Sequence, residues 1–205
     1  MTTAASDPPL LILASASAAR QAMLRQCGIL PQIIPAQIDE PAIRASLQAE
    51  AAPPRDVVDV LADLKAAKVS AQHPEAIVLG ADQILVFEGR ILAKSASIDE
   101  AKHQMSKLAG KTHQLLSAAV AYQSAKPVWR HIGKADLTMR PLSETKIAAY
   151  AASHGDALTE TVGGYWIEED GPTLFSRIDG DYFSILGLPL LQVLDFLRSR
   201  GIGAQ

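Results

Sequence analysis

The stretch Ala76-Ile77-Val78-Leu79-Gly80-Ala81 constrains this chain more than any other. Six residues without a polar side chain, ended by Asp82, are too short for a core helix and lack the alternation of a strand with one wet face. They therefore read as a central strand covered on both sides, the pattern of a sheet with helices on its faces. On this reading Asp82 stands at the strand's C-terminal end. Ile84 to Phe87, the pair Glu88-Gly89 and Arg90 to Leu92 then follow as a hairpin.

The neighbouring segments fit an α/β chain. Leu10 to Leu13 reads as a buried strand, followed by a helix from about Ser17 to Cys27 with Gly28 closing it. Ile33-Ile34-Pro35 is a short strand, and Ile38-Asp39-Glu40-Pro41 reads as a break. Arg55 to Ala71 has helical spacing and carries Lys65. Ser97 and Glu100 form a capping box for a helix stopped by Gly110. Leu115 to Tyr122 and Val128 to Met139 read as long strands, Ser143 caps another helix, Thr173 to Phe175 reads as a short strand, and a last helix runs from Pro189 to Ser199. A chain of 205 residues suits one domain, 9–205, behind a disordered leader, 1–8.

Composition narrows the function classes. Lys and Arg number 19 against 22 Asp and Glu, which gives no broad basic field for a nucleic acid and no polybasic face for a membrane. Cys27 is the single cysteine, so an internal disulfide and a thiolate zinc cluster are both excluded; it reads as a small buried hydrophobe near a helix end. The start has no basic residue before Arg20 and no adequate apolar run, so it does not read as a signal peptide, and the expected location is cytoplasmic. The five histidines show no metal-ligand spacing.

Four constellations carry chemistry. Ala14 to Arg20, between strand and helix, combines small residues, hydroxyls, a helix N-terminus and an arginine, which together make a phosphate cradle; an ordinary serine-capped helix explains them too. Asp82 at a strand end is placed to hold a divalent cation or activate water, or simply to begin a turn. Lys94 and Lys65 offer point charges for phosphate, and either is equally an ordinary surface lysine. Gly163 to Glu168 pairs flexible backbone with aromatics and a carboxylate suited to a nucleobase, or forms a hydrophobic turn.

In this order the segments ILASASAAR, LGADQ, LAKS, AGKTH, VGGYW and GLPLL resemble the motifs of the Maf-like nucleotide pyrophosphatases, and the likeness runs from about Leu11 to Gly201. The resemblance implies an elongated mixed sheet with flanking helices in two lobes around a cleft, similar to the inosine triphosphatase fold. It also implies a homodimer, a divalent cation such as magnesium or manganese, and hydrolysis of a nucleoside triphosphate to the monophosphate and pyrophosphate. Matched by position, Asp82 is the general base, Lys65 and Lys94 are catalytic lysines, Ser15 and Arg20 belong to the phosphate loop, and Glu40 helps Asp82 with the metal.

The departures matter as well. Ala18 and Ala19 stand where many members have arginines, Ala93 and Ser95 flank Lys94 in place of glycine and proline, and Thr161 replaces a lysine of the thymidine- and uridine-type members. Those members carry arginine, threonine and glutamine at the positions of Ala19, Gln83 and Glu168. Gln83 and Glu168 match the branch resembling 7-methyl-GTP pyrophosphatases, and a carboxylate accepts from both N1–H and the exocyclic amine of guanine. The expected substrate is therefore a guanine nucleotide, methylated at the base, with Trp166 as a stacking partner. A nucleotide-binding regulator of septum formation, with little or no catalysis, is the alternative.

Overall fold

The computed structural model describes residues 9–203, so the expected leader, 1–8, lies outside the described residues. In chain order the elements are β1 (Leu11–Leu13), α1 (Ala18–Gln26), β2 (Gln32–Ile33), α2 (Glu40–Ala49), α3 (Pro54–Ser70), β3 (Ile77–Phe87) and β4 (Arg90–Leu92). They continue with α4 (Ile98–Leu108), β5 (Thr112–Gln123), β6 (Lys126–Met139), α5 (Glu144–His154), β7 (Phe175–Gly180), α6 (Tyr182–Ile185) and α7 (Leu190–Ser199). Seven strands form one mixed sheet in the order β2-β1-β3-β5-β6-β7, with β4 on β3. β1 is parallel to β2 and β3, whereas β4 and β7 run antiparallel to their partners. The α/β class expected from the apolar run is the class observed.

The chain divides into two compact units. One holds the residues up to Asp82, Ser117–Gly133 and the chain from Gly187 onward; the other holds Gln83–Leu116 and Lys134–Leu186. Each has its own apolar core. In the first, Ile12, Ala14, Val69, Ala76 and Val78 pack together. In the second, Leu85, Met105, Leu108, Leu137, Tyr165 and Phe175 belong to a larger cluster.

Four local expectations are corrected. The strand carrying Asp82 does not end there: β3 runs on to Phe87, so Asp82 lies in its middle. β1 pairs with β3 through Leu79 and β4 pairs with it from Leu85, and Asp82 falls between these two pairings. The supposed break at Ile38 to Pro41 is the start of α2: the Asp39 carboxylate accepts the N–H of Ala42, and proline is tolerated in a first turn, where its missing N–H has no partner to lose. Gly171–Leu174 forms a 3-10 turn, and the strand begins only at Phe175. Cys27 is exposed rather than buried, because it caps the end of α1 where the chain turns away.

Gly80 explains how α3 meets the sheet. A Cβ there would lie 2.3 Å from the Ala62 carbonyl oxygen and 2.6 Å from the Ala66 nitrogen, so only hydrogen fits between strand and helix backbones. That close approach brings Lys65 beside Asp82.

Candidate active site

Lys65 is the hub of a buried ionic cluster in the first unit. Its ammonium donates to Asp82 Oδ1 at 2.6 Å and pairs with Glu40 Oε1 at 2.8 Å. Lys65 is 6% exposed and Asp82 5%, whereas the Glu40 side chain, on the first turn of α2, is 37% exposed. Asp82 Oδ2 is buried and has no hydrogen-bond partner among the described residues. Buried carboxylate oxygens are seldom left so, because desolvation without a partner is costly. Asp82 therefore offers a ligand one prepared acceptor.

Arg20, 8% exposed, braces the adjoining loop. Its Nε donates to the Gly187 carbonyl at 2.7 Å, and its Nη1 donates to Ser15 Oγ and the Ala81 carbonyl, both at 3.0 Å. Burial lowers its pKa, and the charges of Asp82 and Glu40 oppose that shift. Nη2 makes no hydrogen bond among the described residues, so Arg20 is mainly a buried tie and keeps the two N–H groups of Nη2 for an anion. Ser15 Oγ also accepts the Ser17 N–H, and with two bonds accepted its own hydrogen remains to be donated. Ala19 lies on the first turn of α1, beside the Ser17 cap.

The structure thus brings Ser15, Arg20, Lys65, Asp82 and Glu40 together, through α1, α2, α3 and β3. The remaining expected residues belong to the second unit. Lys94 is exposed on the loop after β4 and makes no hydrogen bond or ion pair among the described residues. Gln83 donates its amide nitrogen to the carbonyls of Ser184 and Ile185, at 3.1 and 2.9 Å. Glu168 is exposed on the turn after Trp166. The Trp166 indole, expected as a stacking partner, donates its N–H to the Ala157 carbonyl at 3.1 Å and is partly buried.

Two backbone acceptors escaped the sequence reading. The carbonyls of Ala81 and Gly187 anchor Arg20, and backbone acceptors leave no trace in side-chain identity. His113, 1% exposed, belongs to the AGKTH motif and is the second residue of β5; its polar neighbours Thr112 and Gln114 give no sign of its burial.

Among the described residues no group of three or more His, Cys, Asp or Glu side chains is placed to hold a metal. Asp82 and Glu40 nevertheless suit magnesium or manganese, which take few protein carboxylates and complete their shell with water and substrate phosphate. The unpartnered Asp82 Oδ2 is the observation that supports this fit.

Comparison with known proteins agrees with the motifs. The profile of the family described as "Maf-like protein" matches residues 10–200. A nucleoside triphosphate pyrophosphatase of Ruegeria pomeroyi is 48% identical, over 94% of this chain and 96% of its own. Nucleoside triphosphate pyrophosphatase 1 of Jannaschia sp. is 50% identical, over 95% and 98%. The solved structure of the Staphylococcus aureus Ham1 protein covers 92% of this chain and 98% of its own, with a TM-score of 0.43 and 13% identity.

Proposed function

Because the chain belongs to the Maf-like protein family, we infer that it is a nucleoside triphosphate pyrophosphatase, which converts its substrate and water to a nucleoside monophosphate and pyrophosphate. The single observation that carries the chemistry is Asp82, whose Oδ1 is held by Lys65 while its Oδ2 is buried and unpartnered.

The link between the α- and β-phosphates breaks, water supplies the oxygen that completes the product, and Asp82 Oδ2 takes the water proton. Lys65 fixes the carboxylate so that this oxygen has one direction. Ser15 and Arg20 Nη2 donate to phosphate oxygens as charge accumulates on them, and the family resemblance gives Lys94 a catalytic role as well. Asp82 and Glu40 would hold a magnesium or manganese ion, which supplies charge neutralisation on the phosphates and a more acidic water.

The finer reading is a preference for guanine methylated at the base over uracil and thymine. It rests on the exposed Glu168 carboxylate, which can accept two N–H groups from one guanine edge and offset the positive charge of a methylated ring. Gln83, whose amide nitrogen donates to the Ser184 and Ile185 carbonyls, is the other proposed base contact. The implied homodimer and cytoplasmic location belong to the same proposal. No described helix is long and apolar enough to cross a membrane.

Pyrophosphate release from 7-methyl-GTP, GTP, UTP, dTTP, CTP and ITP, each with magnesium, manganese or cobalt, tests the reading. The expected order puts 7-methyl-GTP first and the pyrimidines last. Binding without turnover across the whole panel would instead identify a nucleotide-binding regulator.

A further inference from the structure

His113 is buried in the core of the second unit, with its ring 5.6 Å from that of Tyr165 and 5.9 Å from that of Phe175. Its Nε2 lies 2.7 Å from the Tyr165 hydroxyl, and its Nδ1 is buried without a partner among the described residues. Burial depresses its pKa to about 4, so the ring is neutral at ordinary pH. A neutral imidazole has one N–H and one lone pair. Whichever nitrogen carries the hydrogen, one face of the ring goes unsatisfied, a cost that phenylalanine at this position would avoid. The one polar return for that cost is the grip on Tyr165.

Tyr165 opens the turn that carries Glu168. Gly163 and Gly164, both at positive φ (84° and 70°), deliver the chain into it, and a Cβ on Gly163 would lie 2.7 Å from both Leu85 and the Tyr165 ring. The Trp166 N–H is donated to the Tyr150 hydroxyl at 3.2 Å. The Trp166 carbonyl accepts from Glu169 N at 3.3 Å and Gly171 N at 3.0 Å, which closes the turn. Glu168 lies inside this closed turn, exposed, and makes no side-chain hydrogen bond or ion pair among the described residues. Its direction is therefore set by the backbone of the turn and not by a neighbour of its own.

We propose that His113 and Tyr165 are positioning residues for base recognition: their buried hydrogen bond fixes the entry to the 165–171 turn, and so the direction in which Glu168 presents its carboxylate to a guanine edge. The proposal rests on the reading of Glu168 as the base contact. It assigns a role in selectivity to two residues that touch no substrate.

A double-mutant cycle tests it, with kcat/KM for 7-methyl-GTP and for UTP as the readout. Tyr165→Phe keeps the ring and removes the hydroxyl; it should lower the 7-methyl-GTP to UTP ratio about five- to tenfold, as should Glu168→Gln. The double variant should fall no further than Glu168→Gln alone, because Tyr165 acts through Glu168. His113→Gln, which restores a polar group near Nε2, should retain more of the ratio than His113→Phe. Equal losses for both nucleotides, or additive losses in the double variant, would show a purely structural pair and overturn the proposal while leaving Glu168 in its role. A ratio unmoved by Glu168→Gln would remove the base reading and this proposal together.

Discussion

The cluster around Asp82, buried except for Glu40, and the buried pair His113–Tyr165 are both polar, but they are built on opposite terms. The first gathers two cations and two carboxylates, Arg20, Lys65, Glu40 and Asp82, and still leaves a carboxylate oxygen without a partner. The second is neutral: burial holds His113 uncharged and pushes the Tyr165 hydroxyl pKa well up. Charged groups kept out of water at high cost suit a site that stabilises charge during reaction. A neutral pair costs less and holds its geometry over a wide pH range, which suits a brace. The contrast separates chemistry from presentation.

The largest effect that would break this contrast is expected at Asp82. Asp82→Asn keeps the shape and removes the charge, and pyrophosphate release should fall by about a thousandfold or more. Full activity in that variant would put the chemistry elsewhere. Gly80→Ala comes next: its methyl group meets the backbone of α3, so urea unfolding should show a loss of about 3 kcal/mol, with activity falling as Lys65 is pushed from Asp82.

The neutral pair can be sharpened by pH. The folded pKa of His113, about 4, lies below the unfolded value near 6.5, so between these the unfolded chain binds more protons and stability rises with pH. The contribution is fully present above about pH 6.5 and is lost as pH falls through about 4, about 3 kcal/mol in all. Denaturation of His113→Phe over that range should show a flatter profile than the parent chain, and an unchanged slope would remove His113 as its source. The smallest effect is a control: Ser143→Ala removes the cap that accepts the Lys146 N–H, and should cost about 1 kcal/mol without changing the base ranking.

Much of the fold was legible because local rules and tertiary packing agreed. Ser17, Ser97 and Ser143 cap helices where the pattern placed them, and the run ending at Ala81 is a buried strand. α2 was missed because Asp39, Glu40 and Pro41 look like a breaker unless the first turn is recognised as the place that tolerates proline. In the candidate site, residue types were legible and partners were not. Lys65 lies 17 residues before Asp82 and further still after Glu40, and nothing local in the sequence indicates that one ammonium bridges both carboxylates.

Periodicity, caps and ordered motifs are local properties, so the class of the fold, the family and the inventory of reactive groups are readable from the residues alone. Long-range packing alone sets Asp82 inside a continuous strand, ties Arg20 to the carbonyls of Ala81 and Gly187, and lets His113 grip Tyr165. The physical reason is common to all three. Each depends on which buried acceptor or donor stands opposite, and that is settled by the close packing of segments distant in the chain, such as α3 against Gly80.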